Sequence, residues 1–223
     1  MKKHLVPVLV ILAAVLMGPP EASGQTVGFS ARPSLTLEKR IVKNLSLELA
    51  PEVRFGSSFI PESYLLQAGL DYKLTKWLSV GGVYRFKADA SKPEGSETAK
   101  TLETTSRFAL DATGNVKFSR FTPQLRVRYC NYTDFDNTTD DKTDFLRYRL
   151  KVAYNIRGLK LTPYIACELF QKLSSGLFSQ NRYTLGAGYD FGRSTLFAAW
   201  SLEDAYSKDK LTNIVELGFK FKF

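Results

Sequence analysis

The chain is 223 residues long, with 31 Lys and Arg against 22 Asp and Glu, a formal net charge of +9, aromatic residues at 13%, two Cys and a single His. This length is enough for one β domain and no more. The basic surplus serves solubility as readily as it serves contact with anions or phosphate-bearing lipid.

The first residues, MKKH, precede the apolar run LVPVLVILAAVLM and then GPPEASGQ. Two lysines, an apolar run of about 13 residues and small residues at Ala22 and Gly24 have the layout of a secretory signal peptide cleaved after Gly24. The run is too short for the roughly 20 residues of a spanning helix, and nothing after residue 24 is longer. Residues 25–223 then form one β domain, with a charge of about +8 once Lys2, Lys3 and Glu21 are gone.

From here on, apolar residues recur at every second position, the mark of strands with one dry and one wet face. A first segment, Val27–Lys39, is interrupted by Pro33, which has no N–H to give a ladder. Next, Leu45, Leu47, Leu49, Val53 and Phe55 alternate with Ser46, Glu48, Glu52 and Arg54. The pattern repeats over 64–74, 78–87, 107–118, 121–129, 146–156, 159–169, 182–191 and 196–202. The chain closes on LGFKFKF, in which Leu217, Phe219, Phe221 and Phe223 alternate with Gly218, Lys220 and Lys222. Eleven strands can be read in this way, and helix is excluded as a major component.

Alternation alone does not say which face turns inward: a soluble barrel is dry inside, a membrane barrel dry outside. Three features select the second. Short connections at Thr75-Lys76, Ser119-Arg120, Arg157-Gly158 and Gly192-Arg193-Ser194 take turns with longer polar ones around 56–62, 88–102, 134–144, 171–179 and 203–210. Dry-face aromatics gather near strand ends, Tyr72, Trp77, Phe118, Phe121, Tyr154 and Phe191 by the short turns, and Phe55, Tyr64, Tyr84, Phe86, Tyr129 and Tyr148 by the long loops. Two such belts suit the two interfaces of a bilayer. The terminal strand ending on Phe223 looks like the signal that outer-membrane barrels show to their insertion machinery.

The expected fold is therefore all-β: an antiparallel transmembrane β-barrel of about 10–12 strands, with short periplasmic turns and longer extracellular loops. Bacterial barrels have even strand numbers, and an eleventh strand would have to start outside the cell. Either Val27–Lys39 is a lumen or partial edge piece and ten strands remain, or a strand in the N-terminal region or a long loop is unread. Twelve is the expected count.

Chemistry has little to work with. The only histidine, His4, lies in the leader, so the usual nucleophile–base pairings and the commonest metal ligand are missing from the domain. No phosphate-cradle or nucleic-acid motif is present, and no cofactor is expected. Glu48, Glu52, Glu168 and Glu216 read as partners for interior arginines. The acidic stretch 134–144, DFDNTTDDKTD, lacks the spacing of a helix–loop–helix calcium site and reads as a solvated loop. Cys130 shares parity with the lumen and Cys167 with the lipid face, so both are expected to be free thiols.

The informative set is the charged face. A tight turn at Ser119-Arg120 places Asp111 opposite Arg128, and one at Arg157-Gly158 places Arg147 opposite Glu168. The hairpin between them sets Arg128 near Arg149 and Arg126 near Lys151, like charges that need acids or anions between them. Two roles suit such a lumen. In the first the charges pair and close a non-enzymatic barrel of structural or surface-interaction role; in the second Arg126, Arg128, Arg147 and Arg149 line a narrow, anion-preferring pore for small solutes. The expected location is the cell outer membrane, and the expected partners are its lipid and, during biogenesis, periplasmic chaperones and the barrel-insertion machinery.

FLRYRLKVAYNIRGLKLTPYIACELFQ, with FTPQLRVRY before it, resembles the Gram-negative outer-membrane family called domain of unknown function 2490. The resemblance rests on Arg147-x-Arg149, Arg157 to Lys160, Pro163-Tyr164 and Glu168-Leu169-Phe170, with LTLEKRIVKNLSLELAPEVRF similar to that family's first hairpin. A tryptophan expected near the first strand is absent, with Phe29 in its place. The resemblance implies a single outer-membrane barrel and brings no activity and no catalytic residue.

Overall fold

The computed structural model describes residues 26–91, 101–134, 143–206 and 210–223. The leader assigned to 1–24, the centre of the 88–102 loop, most of the acidic stretch 134–144 and part of the 203–210 loop lie outside the described residues. Eleven strands follow in order: β1 Thr26–Val42, β2 Leu45–Phe55, β3 Pro61–Lys73, β4 Leu78–Ser91, β5 Thr101–Asn115, β6 Phe121–Asp134, β7 Thr143–Tyr154, β8 Leu161–Lys172, β9 Phe178–Asp190, β10 Ser194–Ala205 and β11 Lys210–Lys222. Among the described residues there is no helix.

Each strand pairs with its sequence neighbours, and β1 pairs with β11, so the sheet closes on itself. Every pairing is antiparallel except the last: β1 and β11 run parallel from Thr26↔Lys210 to Glu38↔Lys222. The expectation of an even count is thereby corrected. Val27–Lys39 is neither a lumen segment nor a partial edge piece, and no twelfth strand is needed, because one parallel seam lets an odd number of strands close. Pro33 fits because the ladder to β2 passes from Ala31↔Phe55 to Ser34↔Glu52 without it, while register with β11 continues through Pro33↔Leu217.

The faces are inverted relative to a soluble protein. Leu66, Leu70, Leu110, Leu125, Leu150, Ile165 and Leu185 are all close to half exposed or more, whereas Arg107, Arg128, Arg147 and Glu168 are buried. Apolar side chains turned outward along every strand need a hydrocarbon solvent, and buried ions need the polar interior that a membrane barrel supplies. The fold is that of an outer-membrane barrel.

Instead of a central apolar core, a single row crosses the lumen wall. Val83, Ala109, Cys130 and Phe145 are successive register partners on β4, β5, β6 and β7 and pack together. Elsewhere in the lumen, ring tips lie close over glycines: a Cβ at Gly218 would fall 1.9 Å from Cζ of Phe197, and one at Gly186 would fall 2.6 Å from Cζ of Tyr164. A side chain at either place requires the ring to move. Cys130 is buried on the lumen side, Cys167 stands on the outer face beside Ile165 and Leu169, and both are free.

Connections differ at the two ends. The short ones use tight turns, with Gly158 and Gly192 at φ 78° and 82°, a region open to Gly at little cost. At Ser119-Arg120 the turn is closed by reciprocal bonds, Phe118 N–H to Phe121 O at 2.8 Å and Phe121 N–H to Phe118 O at 2.9 Å.

Candidate functional site: the arginine-lined lumen

Strand parity sends Arg32, Glu52, Arg54, Arg85, Asp111, Arg126, Arg128, Arg147, Arg149, Glu168, Arg182 and Glu216 into the interior. All of these but Asp111 line a cavity of about 610 Å3, whose full lining holds nine arginines and one lysine against five glutamates. This surplus is the main property of the site. Because the β-strand period is two, one strand such as RVRY or RYR places two arginines on the same face, 126 with 128 and 147 with 149.

Asp111 lies directly opposite Arg128, and its carboxylate takes both the Nε and Nη2 hydrogens of that guanidinium. Glu168 sits among three cations: Arg126 Nη2 donates to Oε1 at 3.0 Å, Arg147 Nη2 donates to Oε2 at 3.0 Å, and Arg182 Nη1 is 3.9 Å from Oε2. Arg182 also pairs with Glu203. The Phe170 ring is faced by two of these guanidiniums, Arg147 at 4.4 Å and Arg182 at 5.4 Å from its centroid, a favourable use of the ring quadrupole. Lys151 lies 4.0 Å over the Tyr164 ring.

Two expected registers differ from the observed ones, each by two residues. Arg147 does not stand opposite Glu168; Arg149 does, and Arg147 is opposite Phe170. The turn does fall at Arg157-Gly158, closed by Leu159 N–H to Ile156 O at 3.2 Å, but β8 begins only at Leu161 and its ladder with β7 starts at Ala153↔Tyr164, which displaces the pairing. Arg147 still reaches Glu168 on the diagonal. Between β6 and β7, Arg128 faces Arg147 rather than Arg149, and Arg126 faces Arg149 rather than Lys151, whose partner is Gln124. No tight turn fixes that register, since the connection is long.

Three Arg–Arg pairs therefore stand directly opposite across strands: Arg85 with Arg107, Arg126 with Arg149, and Arg128 with Arg147. Like charges so placed are destabilising. Elsewhere the chain relieves the same conflict: Glu38 and Glu48 oppose each other, and Lys220 bridges them at 2.7 and 3.0 Å. The arginine pairs are relieved in part. Arg85 is held by Gln67 Oε1 at 2.7 and 3.1 Å, and Arg149 has no carboxylate within ion-pair distance among the described residues. Glu216, across the cavity, likewise has no cation within that distance among them. Alternation in the sequence already puts Arg85, Arg107 and Arg182 on the wet face, but sequence reasoning left them and Phe170 out of the charge network, because their cross-strand partners could not be read from parity alone.

Among the described residues no group of three His, Cys, Asp or Glu could hold a metal ion. The C-terminal residues Leu217, Phe219 and Phe223 are exposed on the outer face, and Phe221 packs edge-on against Phe223 at 4.8 Å.

A closed barrel with a lipid-facing apolar wall and an ionic interior defines a membrane β-barrel protein. Within that class, the chain belongs to the family described as protein of unknown function DUF2490, whose model matches residues 33–202. No curated protein matches its sequence. Among solved structures it is similar to OmpT of Vibrio cholerae with loop L8 deleted, an outer-membrane protein, at 13% identity and a TM-score of 0.45, covering 76% of this chain and 57% of that one. It is also similar to an anion-selective porin from Comamonas acidovorans, at 10% identity and a TM-score of 0.37, covering 83% and 53%. For OccK11 (OpdR) of Pseudomonas aeruginosa the identity is 12%, the TM-score 0.36 and the coverage 74% and 51%. The chain thus spans little more than half the length of these barrels.

Proposed function

We propose that the protein is a non-enzymatic barrel of the outer membrane, exported through the leader at 1–24, whose lumen admits small anions. The observation that carries this reading is the twofold excess of cations lining the cavity, with Arg149 lacking a carboxylate partner where it directly faces Arg126. A narrow ring of Arg is how a pore favours anions, and a mobile anion relieves repulsion that the fold leaves standing. Asp111, Arg126, Arg128, Arg147, Arg149, Lys151 and Glu168 would together set the constriction.

Planar-bilayer recording of the purified barrel under a potassium chloride gradient tests it. The expected reversal potential has the sign of chloride preference and moves toward zero in Arg149→Gln. A silent bilayer favours the second reading, a lumen sealed by its pairs, which the burial of Glu168 among three arginines supports. Leu217, Phe219, Phe221 and Phe223 would serve as the signal to the insertion machinery; deleting Phe223 should lower the membrane-assembled fraction in cells while leaving detergent refolding intact.

A further inference from the structure

Each of the five short connections carries an exposed basic residue: Lys43, Lys76, Arg120, Arg157 and Arg193, one per turn. Lys117 and Lys160 stand exposed beside two of them. Among the described residues of this rim the one exposed carboxylate is Asp190, and its Oδ1 takes the Thr195 hydroxyl at 2.7 Å. The long connection between β6 and β7 has the reverse bias in sequence, with Asp136, Asp140 and Asp141. Net positive charge is therefore concentrated at one end of the barrel.

These cations are interleaved with aromatics at the edge of the apolar wall. Trp77, Phe118 and Phe191, at 56%, 74% and 55% exposure, flank Lys76, Lys117 and Arg193. Tyr154, on the outer face against Phe121, accepts a hydrogen bond from Arg120 Nη1 at 3.3 Å. That contact holds the guanidinium over the outside of the wall and away from the lumen mouth. Aromatic rings with basic heads at the limit of an apolar band occupy the headgroup layer of a bilayer. A cationic ring at that depth meets lipid phosphate before it meets any soluble anion.

We infer that the short-turn rim is a binding ring for acidic glycerophospholipid, phosphatidylglycerol or cardiolipin, in the leaflet that faces these turns. The inference rests on the membrane-barrel fold and not on conduction through the lumen, so either can fail without the other. Each Lys or Arg near an anionic membrane surface adds a roughly equal increment of binding, and the sum is screened by salt.

The test compares the full-length mature barrel refolded into vesicles of phosphatidylcholine alone and of phosphatidylcholine with about one-fifth cardiolipin, a composition at which surface potential is substantial. The readout is the urea midpoint of the heat-modifiable form. The expected result is a higher midpoint with cardiolipin, a gain of about tenfold or more in the folded-to-unfolded ratio, shrinking as sodium chloride is raised. Lys76→Gln, Arg120→Gln, Arg157→Gln and Arg193→Gln combined should match the parent in phosphatidylcholine and lose the cardiolipin gain. Equal midpoints in the two lipids, or a gain kept by the fourfold variant, would overturn the inference. Soluble polyphosphate giving the same gain in phosphatidylcholine vesicles would overturn it too, by placing the anion in the aqueous phase. Should the fourfold variant not refold, the parent's lipid and salt series decides the matter alone.

Discussion

Glu168 shows what one side chain does inside this lumen. Its two oxygens are shared among Arg126, Arg147 and Arg182, and it is 5% exposed. Removing its charge leaves buried Arg147 and half-buried Arg126 and Arg182 without their common counter-ion, although Arg182 keeps Glu203, and breaking a buried pair in this way is costly. Glu168→Gln should therefore lower stability by about 3 kcal/mol, the low end of the range for buried pairs because lumen water recovers part of the loss. Urea titration of the folded band checks this. The same substitution raises the cation excess of the cavity, so its chloride preference in a planar bilayer should increase while stability falls. A loss of both would mean that Glu168 shapes the barrel rather than its field.

Elements explain which parts of this site could be read from sequence. The pair Asp111–Arg128 was legible because the turn at Ser119-Arg120 holds two residues and the ladder continues from it in step. Arg147–Glu168 was misplaced by one ladder step because Leu159 and Lys160 intervene between the turn and the strand, a detail no hydrophobic period reports. Parity survived both errors, since a slip of two keeps every side chain on its face; that is why inside and outside were legible although register was not. The glycines on the strands were illegible for a different reason: their need comes from a partner strand. At Gly81 an added Cβ would sit 2.9 Å from the carbonyl oxygen of Leu70, which cannot move without breaking the β3–β4 ladder. At Gly218 the obstacle is the tip of the Phe197 ring, which can swing into the lumen. Gly81→Ala should accordingly cost about 1–3 kcal/mol of stability. Gly218→Ala should leave the urea midpoint closer to that of the parent and narrow the lumen, read as a fall in single-channel conductance.

At the scale of the whole barrel, the decisive feature is the parallel seam. Ten antiparallel pairs and one parallel pair close the wall, and the seam is continuous over thirteen register partners from Thr26 to Glu38. Even-numbered alternatives predict different neighbours: with β1 in the lumen or at an edge, or with a further strand inserted, Leu35 and Phe219 would not meet. Here they are register partners, both turned outward, with exposures of 40% and 39%. Replacing both by cysteine, in a background of Cys130→Ala and Cys167→Ala, should give a cross-link on mild oxidation of the folded barrel, because adjacent strands bring paired Cβ atoms within reach of a disulfide. The product should migrate differently on a non-reducing gel and lose the mobility change on boiling that an unlinked barrel shows. Pairing Leu35→Cys with Leu185→Cys, on β9 and so separated from β1 by β11 and β10 across the seam, should give none. A cross-link in the second pair but not the first would require another closure, and with it a lumen in which Arg32 and Glu216 no longer lie on adjoining strands; selective linkage of the first pair fixes the wall on which both the proposed anion path and the proposed lipid ring depend.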